Sequence, residues 1–212
     1  MLVHNVGGDN MMKSSIEYVT LGNISEDIVT GMVIARKKSK DENGYPYKIF
    51  TLRSFNENGY LEKEYLDEFI STEKLDNRQI SKEGDIIVRL SYPNTAIYVT
   101  KELEGMLVPS LFVIIRIHIN HILNNYVQIY LNSDEVKKQL MPDTIGSAIP
   151  IVKTSSFKDI RIPIYSLEYQ KKIIDMNKMI LKEKGLLNKL IEEKTLYHKG
   201  IMKKLFEYKS EE

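Results

Sequence analysis

No cysteine occurs among the 212 residues, so a disulfide scaffold is excluded and any zinc site would rest on histidines and carboxylates. The four histidines, His4, His118, His121 and His198, show no ligand spacing; His118 and His121 are three apart but span an expected strand-to-helix junction. No metal and no cofactor is expected. There is no run of eighteen apolar residues and no charged leader followed by an apolar core, which leaves a cytoplasmic protein as the expectation. No glycine-rich phosphate loop ends in Gly-Lys-Ser or Gly-Lys-Thr, and the pair Gly7-Gly8 follows no strand. An adenine methyltransferase would carry an Asn-Pro-Pro-aromatic loop, whereas Pro93-Asn94 stands in the reverse order. A nuclease reading could begin at Pro142-Asp143, but the later Glu192 to Lys194 match falls in a lysine-rich helical stretch, where such charges are solvated. The chain is expected to have no catalysis of its own.

Charge is nearly balanced, with 30 basic and 29 acidic residues. Eleven lysines and eight acidic residues lie from Ser166 onward, so the preceding part carries 19 basic against 21 acidic residues. That part is not a basic domain overall, which counts against sequence-independent nucleic-acid binding. The length suits one domain of roughly 160 residues with a real core, plus an arm.

What is present reads in three parts. Residues 1–15 are polar, Gly-containing and Met-rich, and form an expected loosely ordered leader. Residues 16–165 read as one α/β domain with a mixed β-sheet and flanking helices. Met32 to Ala35 and Tyr47 to Leu52 are expected strands around the turn-rich Lys37 to Pro46, and Tyr60 to Ile70 is either a short helix or a strand. Asp85 to Leu90 and Thr95 to Thr100 read as a hairpin around Ser91-Tyr92-Pro93-Asn94. In the strongest strand, Leu111, Val113, Ile115, Ile117 and Ile119 form one face, expected to meet the core, and Phe112, Ile114, Arg116 and His118 the other. Asn120 to Leu131 and Ser133 to Met141 follow as amphipathic helices, and Ile149 to Val152 and Phe157 to Ile162 return to strand.

The third part, 166–209, reads as one long helix. Ile173, Ile180, Leu187, Lys194, Ile201 and Tyr208 fall seven apart. Met176, Leu190, Ile191, Tyr197 and Leu205 complete an apolar band over several heptads, the pattern of a coiled-coil seam. Pro163 ends the preceding strand, Ser166 offers a cap, and Glu168 sits in the first turn. Gly185 and Gly200 each cost roughly 1 kcal/mol against alanine, and Lys194 interrupts the seam. A partner helix is expected to cover Ile173, Ile180, Leu187, Leu190, Ile191, Tyr197, Ile201 and Leu205.

Four segments together resemble a specific family. "EYVTLGNISEDIVTG" from Glu17, "EGDIIVRL" from Glu83, "IGSAIPIVKTSSFKDIRIPI" from Ile145 and "SLEYQKKI" from Ser166 are similar, in order and spacing, to one target-recognition domain and its following helix in the specificity subunits of type I restriction-modification systems. Two departures stand out. The family usually has an acidic residue directly before the helix-opening glutamine, where Tyr169 precedes Gln170 here, and a full subunit carries two such domains. The resemblance therefore implies a half-length specificity subunit without catalysis. It would read a few base pairs of double-stranded DNA in the major groove and position methyltransferase (modification) subunits for adenine methylation, with the restriction/translocase subunit as a further partner. Pairing of two copies through their helices would rebuild a two-domain frame as a homodimer. The alternative is a coiled-coil adaptor, or an orphan specificity fragment, that does not bind DNA by itself.

Candidate DNA contacts follow from side-chain chemistry within that resemblance. Arg36, Lys37, Lys38 and Lys40 are the densest basic run before the helix, followed by Tyr45 and Tyr47, and suit phosphate contact. Arg89, Tyr92 and Asn94 flank the hairpin turn, where arginine could pair with guanine and asparagine with adenine edges. Arg53, Arg78 and Lys153 are further candidates, and Lys137 and Lys138 are expected to be solvated on a short helix.

Overall fold

The computed structural model describes residues 16–39, 43–140 and 151–208. In chain order the elements are β1 (Glu17–Thr20), α1 (Leu21–Ile24), β2 (Ser25–Thr30), β3 (Tyr45–Ile49), β4 (Asp67–Ser71), β5 (Ile86–Arg89), β6 (Ala96–Tyr98), β7 (Phe112–Ile117), α2 (Asn124–Leu131), α3 (Asp134–Leu140), β8 (Arg161–Ile164) and α4 (Leu167–Tyr208). The expected leader, residues 1–15, together with Lys40, Met141 and the Ile149-Pro150 part of an expected strand, lies outside the described residues.

The β-branched run of β7 sits in the middle of a four-stranded sheet of order β2-β7-β5-β6. All six of its residues are buried, because both faces of the sheet are covered. Val113, Ile115 and Ile117 pack with α1, α2, α3 and Phe157. On the other face Phe112 and Ile114 meet Phe50, Phe55, Ile87, Ile97 and Met106, with the Phe55 and Phe112 ring centroids 4.6 Å apart. The expected core face is there, and its reverse is core as well, as an almost uninterrupted apolar strand allows. Leu111, expected on the core face, is exposed.

Two smaller antiparallel pairs, β1 with β8 and β3 with β4, flank this sheet. The sheets are antiparallel rather than mixed in direction, since every pairing between named strands is antiparallel. Parallel contacts are isolated bridges at Met32–Pro109 and Ile49–Leu107. The short β5–β6 turn permits only an antiparallel pair, since a parallel one needs a long crossover.

Several local expectations change. The strand expected over Tyr47 to Leu52 runs from Tyr45 to Ile49, with Leu52 in a 3-10 turn. Met32 to Ala35 is not a strand. Met32 makes one bridge and the chain enters a 3-10 turn at Ile34–Arg36, because Gly31 N and Met32 N donate to Phe112 O and Val108 O and steer the chain around Pro109. Tyr60 to Ile70 divides into a turn at Lys63–Tyr65 and strand β4. Phe157 lies in a 3-10 segment, Thr154–Asp159, before β8 begins. The expected hairpin does form, with Ile86, Ile87 and Val88 opposite Tyr98, Ile97 and Ala96. At its turn Thr95 Oγ1 is buried with no hydrogen-bond partner among the described residues. Thr95→Val is therefore expected to raise unfolding free energy by about 1 kcal/mol, since it removes a desolvated hydroxyl while keeping the shape. Urea denaturation checks this, and a clear loss of stability would reveal a partner for that hydroxyl.

Helix α4 is 42 residues long, roughly 63 Å at 1.5 Å per residue. Ser166 opens it: its Oγ accepts from Tyr169 N at 3.3 Å. Its first turns are bound to the domain through Gln170, wholly buried, and Ile174, 8% exposed, with Ile173 packed against the same core. Further along, Lys184 Nζ donates to Asn58 Oδ1 at 3.0 Å. Beyond that point nearly every side chain is exposed. Gly185 and Gly200 have open space around their α-carbons, so within one chain their helix-propensity cost is not offset by close packing.

Candidate nucleic-acid interface

The two ends of the β2-β7-β5-β6 sheet differ in charge. At one end, where β2 and β5 begin and β7 finishes, a cleft of about 490 Å³ is lined by Glu26, Asp27, Asp76, Glu83 and Asp85 along with Arg78, Lys82, Arg116 and His118. These charges largely satisfy one another. His118 Nε2 lies 2.7 Å from Glu26 Oε2, and Arg78 Nε lies 3.4 Å from Asp27 Oδ2. In the floor, Arg116 Nε and an Nη donate to the two Asp85 oxygens at 3.2 and 3.3 Å. Asp85 also accepts from Lys82 N at 2.9 Å. Burial pushes the Asp85 carboxyl above its ordinary range, while the Lys82 amide and the Arg116 guanidinium pull the other way. Gly84, at φ 92°, makes the turn that delivers Asp85 to this position.

At the opposite end four segments, distant in sequence, lie side by side. Gly31 N donates to Phe112 O, Met32 N to Val108 O, and Ser110 N to Met32 O; Leu90 N donates to Leu111 O, and Val152 N to Leu90 O. Ser91 pairs with Ile151, and the Thr30 and Thr154 hydroxyls meet at 2.6 Å. Gly31 permits this closure, since a β-carbon there would lie 2.1 Å from Pro109 O. Residues 31–39, 89–95, 106–112 and 151–156 contain no aspartate or glutamate, but include Arg36, Lys37, Lys38, Arg89 and Lys153. A domain with a slight acidic excess thus segregates its charge, leaving one end free of carboxylates on these segments. Such a surface attracts a polyanion even when the net charge does not.

The candidate residues divide accordingly. Lys37 and Lys38 follow the Ile34–Arg36 turn and join the end of β4, through Thr72 N to Lys37 O and the bridge of Lys38 with Ser71. Lys37 forms an ion pair with Glu73. Tyr45 is exposed and pairs with Ser71 in register, on the opposite edge of β4 from Lys38. Tyr47 is held for structure instead: its hydroxyl accepts from Leu75 N at 3.0 Å, and it packs on the cluster of Ile49, Phe69, Leu75 and Leu107. Arg53 is drawn away to the far end of β3, stacked 4.5 Å over the Tyr65 ring. Arg78 belongs to the acidic cleft.

Arg89 stays at the carboxylate-free end, where its Nε donates to Ser91 Oγ at 2.8 Å, and Tyr92 is exposed beside it. Asn94 leaves the candidate set. It is 3% exposed and has φ 54°, and its amide donates to Arg89 O and Leu90 O. Its chemistry is used to close the turn, a frequent role for asparagine in the left-handed region. Lys153 is exposed at the same end, Lys137 is half-buried and Lys138 exposed on α3. On α4, Ile180, Leu187, Leu190, Ile191, Tyr197, Ile201 and Leu205 are exposed, whereas Ile173 packs on its own domain. Sequence reasoning missed Val33, Leu111 and Ile151, which are exposed at the carboxylate-free end. The signal was an absence of acidic residues shared by four separate segments.

Residues 13–193 match the type I restriction modification DNA specificity domain. The chain belongs to this family. Membership places it in the specificity component rather than in a catalytic subunit. Among curated relatives it is 30% identical over 155 residues to the type I restriction enzyme MjaVIII specificity subunit of Methanocaldococcus jannaschii, covering 69% of this chain and 34% of that protein. In fold it is similar to the HsdS subunit from Thermoanaerobacter tengcongensis, with a TM-score of 0.63 at 17% identity over 82% of this chain and 44% of that one. A chain described with complex assembly and conformational transition of the type I restriction-modification system gives 0.62 at 16% identity, over 82% and 44%. This specificity chain thus spans about a third of its curated relative and under half of these two solved chains. Three motifs carrying the resemblance acquire physical roles: Gly31 closes the sheet end, Gly84-Asp85 delivers the buried carboxylate, and Gln170 fastens α4.

Among the described residues no group of three His, Asp or Glu is arranged to hold a metal, and no helix is long and apolar enough to cross a membrane.

Proposed function

We propose that this specificity chain reads a short half-site in the DNA major groove with the carboxylate-free end of its sheet, and that it brings methyltransferase subunits to that site for adenine methylation. The observation that carries this reading is the segregation of charge: in a family of DNA specificity domains, the end whose four segments carry cations and no carboxylate suits the approach of phosphates. The chain itself is non-catalytic, and the restriction/translocase subunit joins the same assembly during restriction. Lys37, Lys38 and Lys153 hold phosphates, with Arg36 and Lys40 in the same basic run, and Arg89, Tyr45 and Tyr92 face the bases. An acidic excess in the globular part would favour the adaptor alternative, and the placement of five of its 21 acidic residues at the opposite cleft weakens it.

The double variant Lys37→Glu/Lys38→Glu, assembled with its modification subunit, is expected to bind DNA at least tenfold more weakly. The log-log salt slope should become shallower by about 0.9 for each phosphate no longer neutralised. Fluorescence anisotropy across a salt series measures both, and an unchanged slope would remove the Lys37 loop from the interface.

The second part of the proposal is a homodimer through α4. Its exposed band from Ile180 to Leu205 follows the heptad spacing, and a band of that kind is covered by another helix in a coiled coil. Light scattering during size exclusion, on the chain alone and with the modification subunit, should find two copies per complex. One copy under both conditions would reject the pairing.

A further inference from the structure

We propose that the carboxylate-free end reads thymine methyl groups, through a strip formed by Val33, Leu111, Tyr92 and Ile151. This rests on the proposed DNA-reading function and adds what is read. The four side chains are 63%, 47%, 57% and 63% exposed, respectively, and they come from the neighbouring segments of that end. Val33 follows Met32, which bonds to Val108 and Ser110; Leu111 O accepts from Leu90 N; Leu90 O accepts from Val152 N; and Ile151 pairs with Ser91, next to Tyr92. Each of four adjoining backbone segments therefore presents one large apolar side chain to solvent, and exposed apolar side chains gathered at one end of a sheet suit a binding surface.

The setting of the patch identifies its occupant. The chain has a second exposed apolar band, on α4, and that band runs among charges of both signs, including Lys182, Glu183, Lys189 and Glu192. Such a mixture suits another protein helix. The strip shares its segments with Lys37, Lys38, Arg89 and Lys153 and with no carboxylate, although Lys37 is paired with Glu73 from outside them. Apolar side chains on segments that carry cations and no carboxylate suit a polyanion that offers apolar groups at close range. In the major groove of double-stranded DNA, the apolar group on a base edge is the C5-methyl of thymine. The strip is pre-formed, because its backbone is tied on both sides by hydrogen bonds and Arg89 is already oriented by Ser91.

The test uses the full chain assembled with its modification subunit and the target motif obtained by mapping adenine methylation in a host expressing both. Duplexes are made in which each thymine of the motif is replaced singly by 2′-deoxyuridine, which removes one methyl and leaves pairing intact. At one or more positions affinity should fall about fourfold, the effect of one buried methyl. Leu111→Ala and Ile151→Ala should each lower affinity for the thymine duplex and abolish the thymine-to-uracil difference at one position, while leaving affinity for the corresponding uracil duplex unchanged. Sequence-specific binding with no uracil effect at any thymine of either strand, or variants that keep full discrimination, would overturn the inference and leave DNA reading intact. Variants that lose the modification subunit, with uracil effects unaltered, would overturn it in favour of a protein contact. Failure of the assembled complex to bind the motif at all would defeat the DNA-reading function itself, and this inference with it.

Discussion

Replacing Gln170 by leucine is expected to destabilise the chain by about 4 kcal/mol and to loosen α4 from the domain. Gln170 is wholly buried, and its amide is fully used. Its Oε1 accepts from Leu123 N at 2.8 Å, and its Nε2 donates to His121 O at 3.0 Å and Tyr165 O at 2.8 Å. Leu123 is the residue before α2, and it has no side-chain cap of its own. The glutamine therefore caps one helix while belonging to another, and the β8–α4 junction is tied to the same group. Leucine keeps the volume but leaves one donor and two acceptors of a half-buried junction without their partner, at up to about 1–3 kcal/mol each. For a chain of this size such a loss lowers the melting temperature by about 10 °C. Differential scanning calorimetry checks the magnitude. Gln170→Glu should be similarly harmful at neutral pH, because a carboxylate cannot donate to His121 O and Tyr165 O. If both variants melt like the parent, the amide is not what fastens the helix. Under the proposed function the same change would blur the angle between reader and helix, and methylation by the assembled complex should fall more than DNA affinity does.

Arg116→Met is expected to cost about 3–5 kcal/mol at neutral pH, the usual effect of removing one partner from a buried ion pair. Arg116 and Asp85 are 6% and 4% exposed, and an unpaired carboxylate in that floor would be held against a large desolvation penalty. The deficit should depend on pH. Burial, the strongest influence, raises the folded-state pKa of Asp85 above its unfolded value, so the folded chain binds the proton more readily than the unfolded one. The corresponding stability is fully present below the unfolded pKa and is lost as pH rises through the folded pKa. Arg116 limits that shift; without it the folded pKa rises further and the loss extends to higher pH. The difference between variant and parent should therefore shrink as the solution is acidified, and taking the difference cancels the other carboxylates of the cleft, Glu26, Asp27, Asp76 and Glu83. Urea midpoints for both proteins from pH 5 to pH 8 would show it; parallel curves would refute it. The double variant Asp85→Leu/Arg116→Met should recover most of the loss, as apolar replacement of buried ion pairs often does.

Some of this architecture could be read from local pattern alone. Alternation placed β7, the turn composition at Ser91 to Asn94 placed the hairpin, and heptad spacing together with Ser166 placed α4, because each signal repeats or ends within a few residues. The individual candidate residues were harder. Asn94 and Tyr47 have the chemistry of base and phosphate contacts, yet one amide closes a turn and one hydroxyl receives a backbone N–H. Side-chain type states what a group can bond and not which neighbour reaches it first. Ile173 keeps the heptad spacing of the exposed band but lies close enough to the domain for its core to claim it.

By itself the sequence determined the two-part plan, a central apolar strand within an α/β domain and a long striped helix behind it, since periodicity is a property of neighbouring residues. The family resemblance was also carried by sequence, in motifs that stand in a fixed order. Only the tertiary structure decided where the charge went. The carboxylate-free end is assembled from segments up to about 120 residues apart, brought together by strand register and by the close approach at Gly31. No local count can register a surface whose members meet only when the sheet closes, because electrostatic potential sums over distance in space and not along the chain.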